Sequence, residues 1–404
     1  MNENGNGEQL QFRLINADVF FRTQIIHERK DRPRQNERYT NAFHAAFDAL
    51  VASEYDKTPA LCKLLKRKCF QWLLYEEFVF FCELHGKTLP DEVTLASAFG
   101  YSERRFRAFR LAVQKKLPAN KFAARSYAEF MSFNDAELRY AQLPIKHIAV
   151  CATMSAGKST FVNALLGRDV LPARNEATTA KITSVYDKDG AEKMIGFVQK
   201  RDGTCDDKCS DIQLFKLNEW NDSSCVERIF LQGDLDGIRN KGMIVAVHDT
   251  PGTNNSGDKS HHDMTMRFLK ENTMDALVFV ANATQLCTMD EKILLSELLK
   301  NIVKPFGIPV MFIMNRADEL DEDKENVTDI LSRYSFYLSD IGFTSPAIFP
   351  VSSQAARLLK MASSGRSLEL TPKEQRKLSS MQEQYKDIDS TGITAVERYI
   401  ENMF

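Results

Sequence analysis

Small and hydroxyl-bearing residues surround a single lysine in one stretch of the chain, "CATMSAGKSTFVNALLG", from Cys151 to Gly167. A phosphate-binding loop requires glycine, four further residues, and then Gly-Lys-Ser/Thr. Ala152 stands in place of the first glycine, and Gly-Lys-Ser follows at the required spacing. We therefore expect the following residues to surround the phosphates of a nucleotide: Ala152, Thr153, Met154, Ser155, Ala156, Gly157, Lys158, Ser159 and Thr160.

This loop has the chemistry that phosphate binding needs. Backbone N–H groups at the start of a helix point toward an anion, so a strand, a loop and a helix are predicted in that order. Lys158, which we expect to face solvent, would reach the β- and γ-phosphate oxygens, and Ser159 would bind Mg²⁺. Ala152 adds only a methyl group at the strand end, which a negative φ tolerates. The sequence therefore predicts a working nucleotide site.

A second segment, "VHDTPG", supplies groups for the metal and the terminal phosphate. It places Asp249 and Gly252 at the end of an apolar run. A carboxylate at this position can hold Mg²⁺ through water, and the Gly252 N–H can contact the γ-phosphate. Ser159 and Asp249 are therefore the metal-binding residues that these two segments predict.

Two further segments predict which base is bound. "FIMNRAD" places Asn315, Arg316 and Asp318 after another apolar run. The Asp318 carboxylate can accept hydrogen bonds from both N1–H and N2–H₂ of guanine, a pair of donors that adenine lacks. "FPVSS" ends at Ser352 and Ser353, where a short loop would close over the guanine O6. The segments together favour GTP and GDP, with the stem of Arg316 lying along the base.

These segments must be positioned by strands and helices. Beyond residue 143, six short apolar runs alternate with helical segments: "IKHIAV", "KITSVY", "MIVAVHD", "ALVFVAN", "VMFIMN" and "AIFPVSS". The alternation predicts an α/β P-loop GTPase domain at 144–404, with a mostly parallel sheet flanked by helices. Residues 39–143 have helical periodicity and no strand pattern, which predicts an all-α domain. Residues 1–38 are polar and charged, which predicts a flexible tail.

The composition limits the class of protein. The chain has 404 residues, of which 43% are hydrophobic and 27% charged, as in ordinary globular proteins. A net charge of −2 provides no overall field for nucleic acid, which we do not expect as a partner. The first residues lack the basic and apolar parts of a secretory signal, and the eight cysteines lack a disulfide-scaffold spacing. A cytoplasmic location is therefore predicted.

Four segments resemble the dynamin superfamily, and most closely its bacterial dynamin-like members: "SAGKST", "LLGRDVLPARNEATTA", "DTPGTNN" and "NRAD". The resemblance implies that Thr179 is a ligand of Mg²⁺ and of the catalytic water, and that Ser155 lies beside the leaving oxygen. With Lys158 and Gly252, these are the catalytic residues that we predict. The resemblance also implies dimerisation across the nucleotide faces and remodelling of membranes.

Two departures from the dynamin pattern bear on activity and partners. Met154 occupies a position where many dynamins have a glutamine that places the catalytic water, so slow hydrolysis is predicted. A GTP-binding switch or scaffold without useful turnover is the alternative that Met154 supports. The sequence ends without the helical stalk and lipid-binding tip that the resemblance implies. We expect a truncated piece or a stalk-bearing or membrane-binding partner, and a peripheral position at the inner face of the cell membrane.

A basic segment lies in the helical region. Eight basic residues follow one another without an acidic residue between them: Arg104, Arg105, Arg107, Arg110, Lys115, Lys116, Lys121 and Arg125. "LASAFGYSERRFRAFR" faintly resembles a helix-turn-helix, so a nucleotide-gated DNA-binding regulator is one interpretation. Docking on an anionic membrane surface or an acidic partner is the second. The third is a solvated helix face with Phe106, Phe109 and Leu111 packed inward.

Overall fold

The computed structural model contains two compact units, Met1–Leu143 and Pro144–Phe404. Their boundary falls where the sequence changes from helical to alternating patterns. The structure describes residues 8–9, 11–13, 15–16, 19–20, 33–65, 68–84, 87–114, 121–172, 181–252, 259–320 and 326–404. No helix in these ranges combines the length and the apolar character needed to span a bilayer.

The described part of the N-terminal unit is helical, as predicted. Six helices follow one another: α1 Pro33–Val51, α2 Thr58–Leu64, α3 Lys68–Leu84, α4 Glu92–Ala98, α5 Glu103–Gln114 and α6 Lys121–Ala141. Helix α3 is apolar on several faces because it lies in the centre of this unit. Its aromatic residues are buried: Phe70, Trp72, Tyr75, Phe78, Phe80 and Phe81.

The segment 1–38, predicted to be a flexible tail, is folded where the structure describes it. Phe12 and Ile15 are buried, and the buried Arg13 forms an ion pair with Glu77 of α3. Helix α1 begins at Pro33, before the predicted boundary. This packing was not predicted because the segment is mostly polar and charged, and its few apolar residues occur singly. The other residues of the predicted tail lie outside the described ranges.

The C-terminal unit contains a nine-stranded sheet. Its strands are β1 Ile145–Ala152, β2 Ile182–Asp187, β3 Ile195–Lys200, β4 Cys205–Cys209, β5 Val226–Gly233, β6 Ile244–Asp249, β7 Ala276–Asn282, β8 Val310–Asn315 and β9 Ala347–Val351. The spatial order is β4-β3-β5-β2-β6-β1-β7-β8-β9. Five neighbouring pairs are parallel, and the pairs β2–β6, β3–β5 and β3–β4 are antiparallel. The prediction of a mostly parallel sheet is confirmed.

Helices cover both faces of this sheet. They are α7 Lys158–Leu166, α8 Leu214–Asp222, α9 Lys259–Glu271, α10 Met289–Leu298, α11 Val327–Ile341, α12 Ser353–Ser363, α13 Pro372–Gln384 and α14 Ile393–Met403. One core contains Val150 of β1 with Phe161 of α7, and the other contains Ala149 of β1 with Leu269 of α9. Successive residues of β1 thus point into different cores, as the alternation along a strand requires.

The six predicted strands are β1, β2, β6, β7, β8 and β9, whereas β3, β4 and β5 were missed. The edge strand β4, "CDDKC", is mostly exposed and polar, so its sequence reads as a loop. The structure places Cys205 and Cys209 at the two ends of this strand. Segment β4 is a strand because it pairs with β3 in an antiparallel arrangement. The composition of an exposed edge strand does not reveal such pairing.

Candidate nucleotide-binding site

Strand register brings the predicted segments to one edge of the sheet. In the β1–β6 pair Val150 lies opposite Asp249, and in the β8–β9 pair Asn315 lies opposite Val351. Because these pairs are parallel, the loops that follow them emerge at the same edge. The four segments singled out in the sequence therefore meet around the end of β1, near the centre of the sheet.

The loop between β1 and α7 has the conformation of a phosphate-binding turn. Gly157 has a φ of 85° and precedes the first residue of α7. A Cβ on Gly157 would also overlap the Asn315 side chain, so only glycine fits there. Ser155 has a positive φ as well, 61°. Ala152, in contrast, is the last residue of the extended strand β1, which explains why the first glycine of the fingerprint is dispensable.

Lys158, Ser159 and Asp249 converge at the start of α7. The Lys158 ammonium group forms an ion pair with Asp249 Oδ1, and Ser159 Oγ donates to Asp249 Oδ2 at 3.2 Å. The Lys158 side chain is only 7% exposed and Asp249 is fully buried. The expectation of a solvent-facing Lys158 is therefore wrong, because the adjacent carboxylate of β6 holds the ammonium group inside.

This donor set suits magnesium. Ser159 Oγ and the Asp249 carboxylate are hard oxygen ligands, which Mg²⁺ prefers, and they are within 3.2 Å of each other. Mg²⁺ commonly takes one or two protein ligands and completes its shell with water and phosphate oxygens. The third predicted ligand, Thr179, lies outside the described residues, as does Thr253 after the Gly252 turn.

The loop after β6 lies against the phosphate loop. Thr250 Oγ1 donates to the Val150 carbonyl at 2.8 Å and so fixes this loop to β1. A Cβ on Gly252 would lie 3.8 Å from the Cα of Met154. The Met154 side chain is 40% exposed. Burial raises the pKa of the neighbouring Cys151 thiol to about 12, so this thiol stays protonated and is no nucleophile.

Asn315 joins the phosphate loop to the β9–α12 connection. Its Nδ2 donates to the Ala156 carbonyl at 2.9 Å, and its Oδ1 accepts from the Ser353 N–H at 3.2 Å. Arg316 donates to the Ser155 carbonyl at 3.0 Å and adopts a left-handed backbone with φ 63°. These bonds place the residues of "FIMNRAD" directly over the phosphate loop.

Two buried oxygen atoms of this region have no hydrogen-bond partner in the described part of the chain. They are Asp318 Oδ1 and Ser353 Oγ. Buried polar atoms in folded proteins are nearly always hydrogen-bonded, so each of these calls for an explanation. The N1–H and N2–H₂ groups of guanine are donors of the kind that the Asp318 carboxylate needs.

Sequence reasoning missed the residues that support Ser352. The Ser352 hydroxyl is 2.6 Å from the Tyr385 hydroxyl, and the Ser352 N–H donates to the Thr391 carbonyl at 2.9 Å. Tyr385 follows α13, far along the chain from Ser352. No local motif connects the two residues, and only the tertiary fold brings them together.

Comparisons with known proteins agree with this geometry. Residues 148–317 match the family model described as "Dynamin family". A "Bacterial dynamin-like protein" of Nostoc punctiforme is 27% identical over 202 residues, 47% of this chain and 27% of that protein. "Dynamin-like protein A" of Bacillus subtilis is 25% identical over 204 residues, 50% of this chain and 16% of that protein. The chain spans less than half the length of these relatives.

Solved structures also match the chain. An oligomerised bacterial dynamin pair, described as sensing and tethering membranes, gives a TM-score of 0.43 at 16% identity, covering 86% of this chain and 56% of that one. Era in complex with MgGDPNP and a segment of 16S ribosomal RNA gives a TM-score of 0.32 at 17% identity, covering 52% of each chain.

Proposed function

Because this chain carries a dynamin-superfamily GTPase domain, we propose that it binds GTP with Mg²⁺ and hydrolyses it slowly. The observation that carries the proposal is the convergence of Lys158, Ser159 and Asp249 at the phosphate loop that Asn315 contacts, three residues before Asp318. In this proposal the first three residues would bind phosphate and Mg²⁺, and Asn315 and Asp318 would bind guanine.

Each residue has a defined part in this proposal. Lys158 would leave Asp249 and stabilise negative charge on the β- and γ-phosphates, while the backbone around Ser155 contacts the leaving oxygen. Ser159, Asp249 and Thr179 would hold Mg²⁺, which neutralises phosphate charge when bound. The Gly252 N–H would contact the γ-phosphate.

Slow turnover follows from the groups near the attacking water. A thioether such as Met154 is only a weak hydrogen-bond acceptor, and it donates no hydrogen bond, so it cannot hold water as glutamine does. A second copy docked across the nucleotide face would complete the groups around the attacking water and thereby raise the rate. Self-association of this kind is part of the proposal, and the exposed position of Met154 is compatible with it.

We further propose that GTP turnover is coupled to membrane remodelling at the inner face of the cell membrane. Support comes from the dynamin-like names of the relatives and from the described membrane tethering of the matched dynamin pair. Contact with the bilayer would be made by an anionic-lipid-binding surface or by a stalk-bearing partner protein.

Phosphate release measured over a range of protein concentrations, with and without anionic liposomes, tests the proposal. We expect a slow rate per subunit that rises with concentration and is absent in Lys158→Ala. Met154→Gln should raise the rate, whereas Met289→Gln on the exposed surface of α10 should not.

The same measurement distinguishes slow GTP hydrolysis from GTP binding without turnover. If GTP binds but no phosphate is released at any concentration, the chain is a GTP-binding scaffold, the interpretation that Met154 favours. A rate that is independent of concentration, with unchanged mass in every nucleotide state, would contradict dimer-assisted turnover. Liposomes that neither bind the protein nor change the rate would contradict the membrane part.

A further inference from the structure

Helices α4 and α5 form a compact pair in the N-terminal unit. The four residues from Phe99 to Ser102 connect them, and Gly100 in this turn has a φ of +69°. The Tyr101 N–H donates to the Ala96 carbonyl at 2.9 Å, which closes the end of α4. A turn of three or four residues that contains glycine is the connection found between the two helices of a helix-turn-helix.

The helix pair is held in place by its packing in the core of the N-terminal unit. The inward faces of the two helices and the turn bury six residues: Leu95, Ala96, Ala98, Phe99, Phe106 and Phe109. The ring of Tyr75 on α3 lies about 6 Å from the rings of Phe99, Phe106 and Phe109. The Tyr101 hydroxyl also hydrogen-bonds to Gln71 of α3. Helix α5 is therefore presented on a rigid base.

The outward face of α5 has a different character. Arg104, Arg107, Ala108 and Leu111 occur at the spacing of one helix face, and all four are exposed. The Arg107 side chain is 66% exposed and Leu111 is 46% exposed. Phe106 and Phe109 pack inward as expected, but the expectation that Leu111 does so is wrong, because Leu111 lies on the opposite side of the helix.

Positive charge remains available on this face. Glu92 of α4 pairs with Arg107 at 2.9 Å and with Arg110 at 3.3 Å, which ties the two helices together. Neither Arg104 nor Arg105 forms an ion pair within the described ranges of the chain. The chain therefore has a local basic surface although its net charge is −2.

We propose that α5 is a recognition helix that enters the major groove of double-stranded DNA. In a helix-turn-helix the second helix contacts base edges with its N-terminal half while the first helix crosses the backbone. Arg104, Arg105 and Arg107 would contact phosphates and guanine, and Ala108 and Leu111 would contact thymine methyl groups. The proposal goes beyond GTP binding and reverses the expectation that nucleic acid is no partner.

Burial of the apolar face argues against insertion into lipid. A helix that lies in a membrane surface places its apolar face among the acyl chains. In α5 that face, with Phe106 and Phe109, is packed in the core of the protein. Among the residues of α5 whose burial is described, those exposed to solvent are Glu103, Arg104, Arg105, Arg107, Ala108 and Leu111. The three arginines outnumber the single carboxylate and match the phosphates of a DNA backbone in charge.

Fluorescence anisotropy of the full chain with a random-sequence duplex pool, over a series of salt concentrations, tests the proposal. We expect binding that weakens with salt. Arg104→Ala/Arg105→Ala should weaken it at least tenfold and reduce the slope of log K against log salt by about 1.8. Lys373→Ala/Lys377→Ala removes the same charge from exposed positions on α13 and should leave binding unchanged.

Selection from the same pool provides the second readout. We expect an enriched duplex sequence for the parent chain and loss of preference at one position of it in Arg107→Ala. Circular dichroism should show unaltered helix content in every variant. Absence of duplex binding, or equal losses in the α5 and α13 double variants, would overturn the proposal. So would arginine-dependent binding to phosphatidylglycerol vesicles without duplex binding, which would make α5 a lipid-docking surface.

Discussion

The two ends of the proposed nucleotide site, a phosphate end and a guanine end, differ in how their polar groups are satisfied. At the phosphate end, Lys158 and Ser159 both hydrogen-bond to Asp249. At the guanine end, Asp318 Oδ1 and Ser353 Oγ are buried without a partner in the described residues. A nucleotide must therefore replace an existing ion pair at one end, whereas at the other it adds hydrogen bonds to groups that lack them.

This difference assigns separate tasks to the two ends. Lys158 exchanges one strong electrostatic partner for another, so its contribution depends on the high charge of the phosphates. Asp318 Oδ1 has no hydrogen-bond partner to give up within the described residues. A base without the matching donors would therefore leave this oxygen atom without a hydrogen bond. We expect the phosphate end to determine whether a nucleotide binds and the guanine end to determine which one.

The largest effect is expected for Lys158→Ala. It should weaken GTP binding more than tenfold, because the charged contact to the phosphates is lost. It should also lower the free energy of unfolding by about 3 kcal/mol, because the buried Asp249 loses its cation. Calorimetric titration and denaturant unfolding measure the two effects.

Lys146→Ala is the matched control, since Lys146 of β1 forms an ion pair with Asp275 at 2.9 Å but is partly exposed. It should leave nucleotide binding unchanged and cost well under 1 kcal/mol. Unaltered GTP affinity in Lys158→Ala would mean that the loop is not a phosphate site.

A specificity change is expected for Asp318→Asn. GDP should bind at least tenfold more weakly, and xanthosine diphosphate should become the better ligand, because its C2 carbonyl accepts from the new amide. Competition between the two diphosphates gives the ratio. Asp329→Asn, at an exposed position in the first turn of α11, should keep the guanine preference. If Asp318→Asn still preferred GDP over xanthosine diphosphate, Asp318 would not contact the base.

A smaller effect is expected for Tyr385→Phe, which removes only the hydroxyl that contacts Ser352. GDP affinity should fall about threefold to tenfold, the range for one hydrogen bond, while binding of inorganic triphosphate should be unchanged. In a Ser352→Ala background the substitution should have no further effect. Tyr399→Phe, on α14 beside Phe349, is the control. Equal losses for GDP and triphosphate would indicate general loosening of the fold.

The sequence predicted those parts of the fold that depend on local pattern. Strands β1, β6, β8 and β9 are apolar runs followed by the motif-bearing loops, and parallel pairing with one another and with β7 brings their ends together. The polar edge strand β4 could not be predicted because its pairing with β3, not its composition, makes it a strand. The burial of Lys158 and the Tyr385–Ser352 contact depend on residues far apart in the chain.

The central claim is that this edge of the sheet binds guanine nucleotides. Calorimetric titration of the parent chain with GDP and with ADP, each with Mg²⁺, tests it most directly. We expect GDP to bind at least tenfold more tightly, because adenine has an acceptor at N1 and only a C–H at C2 and so leaves the buried Asp318 oxygen unpaired. Equal affinities for GDP and ADP, or no binding of either, would contradict it.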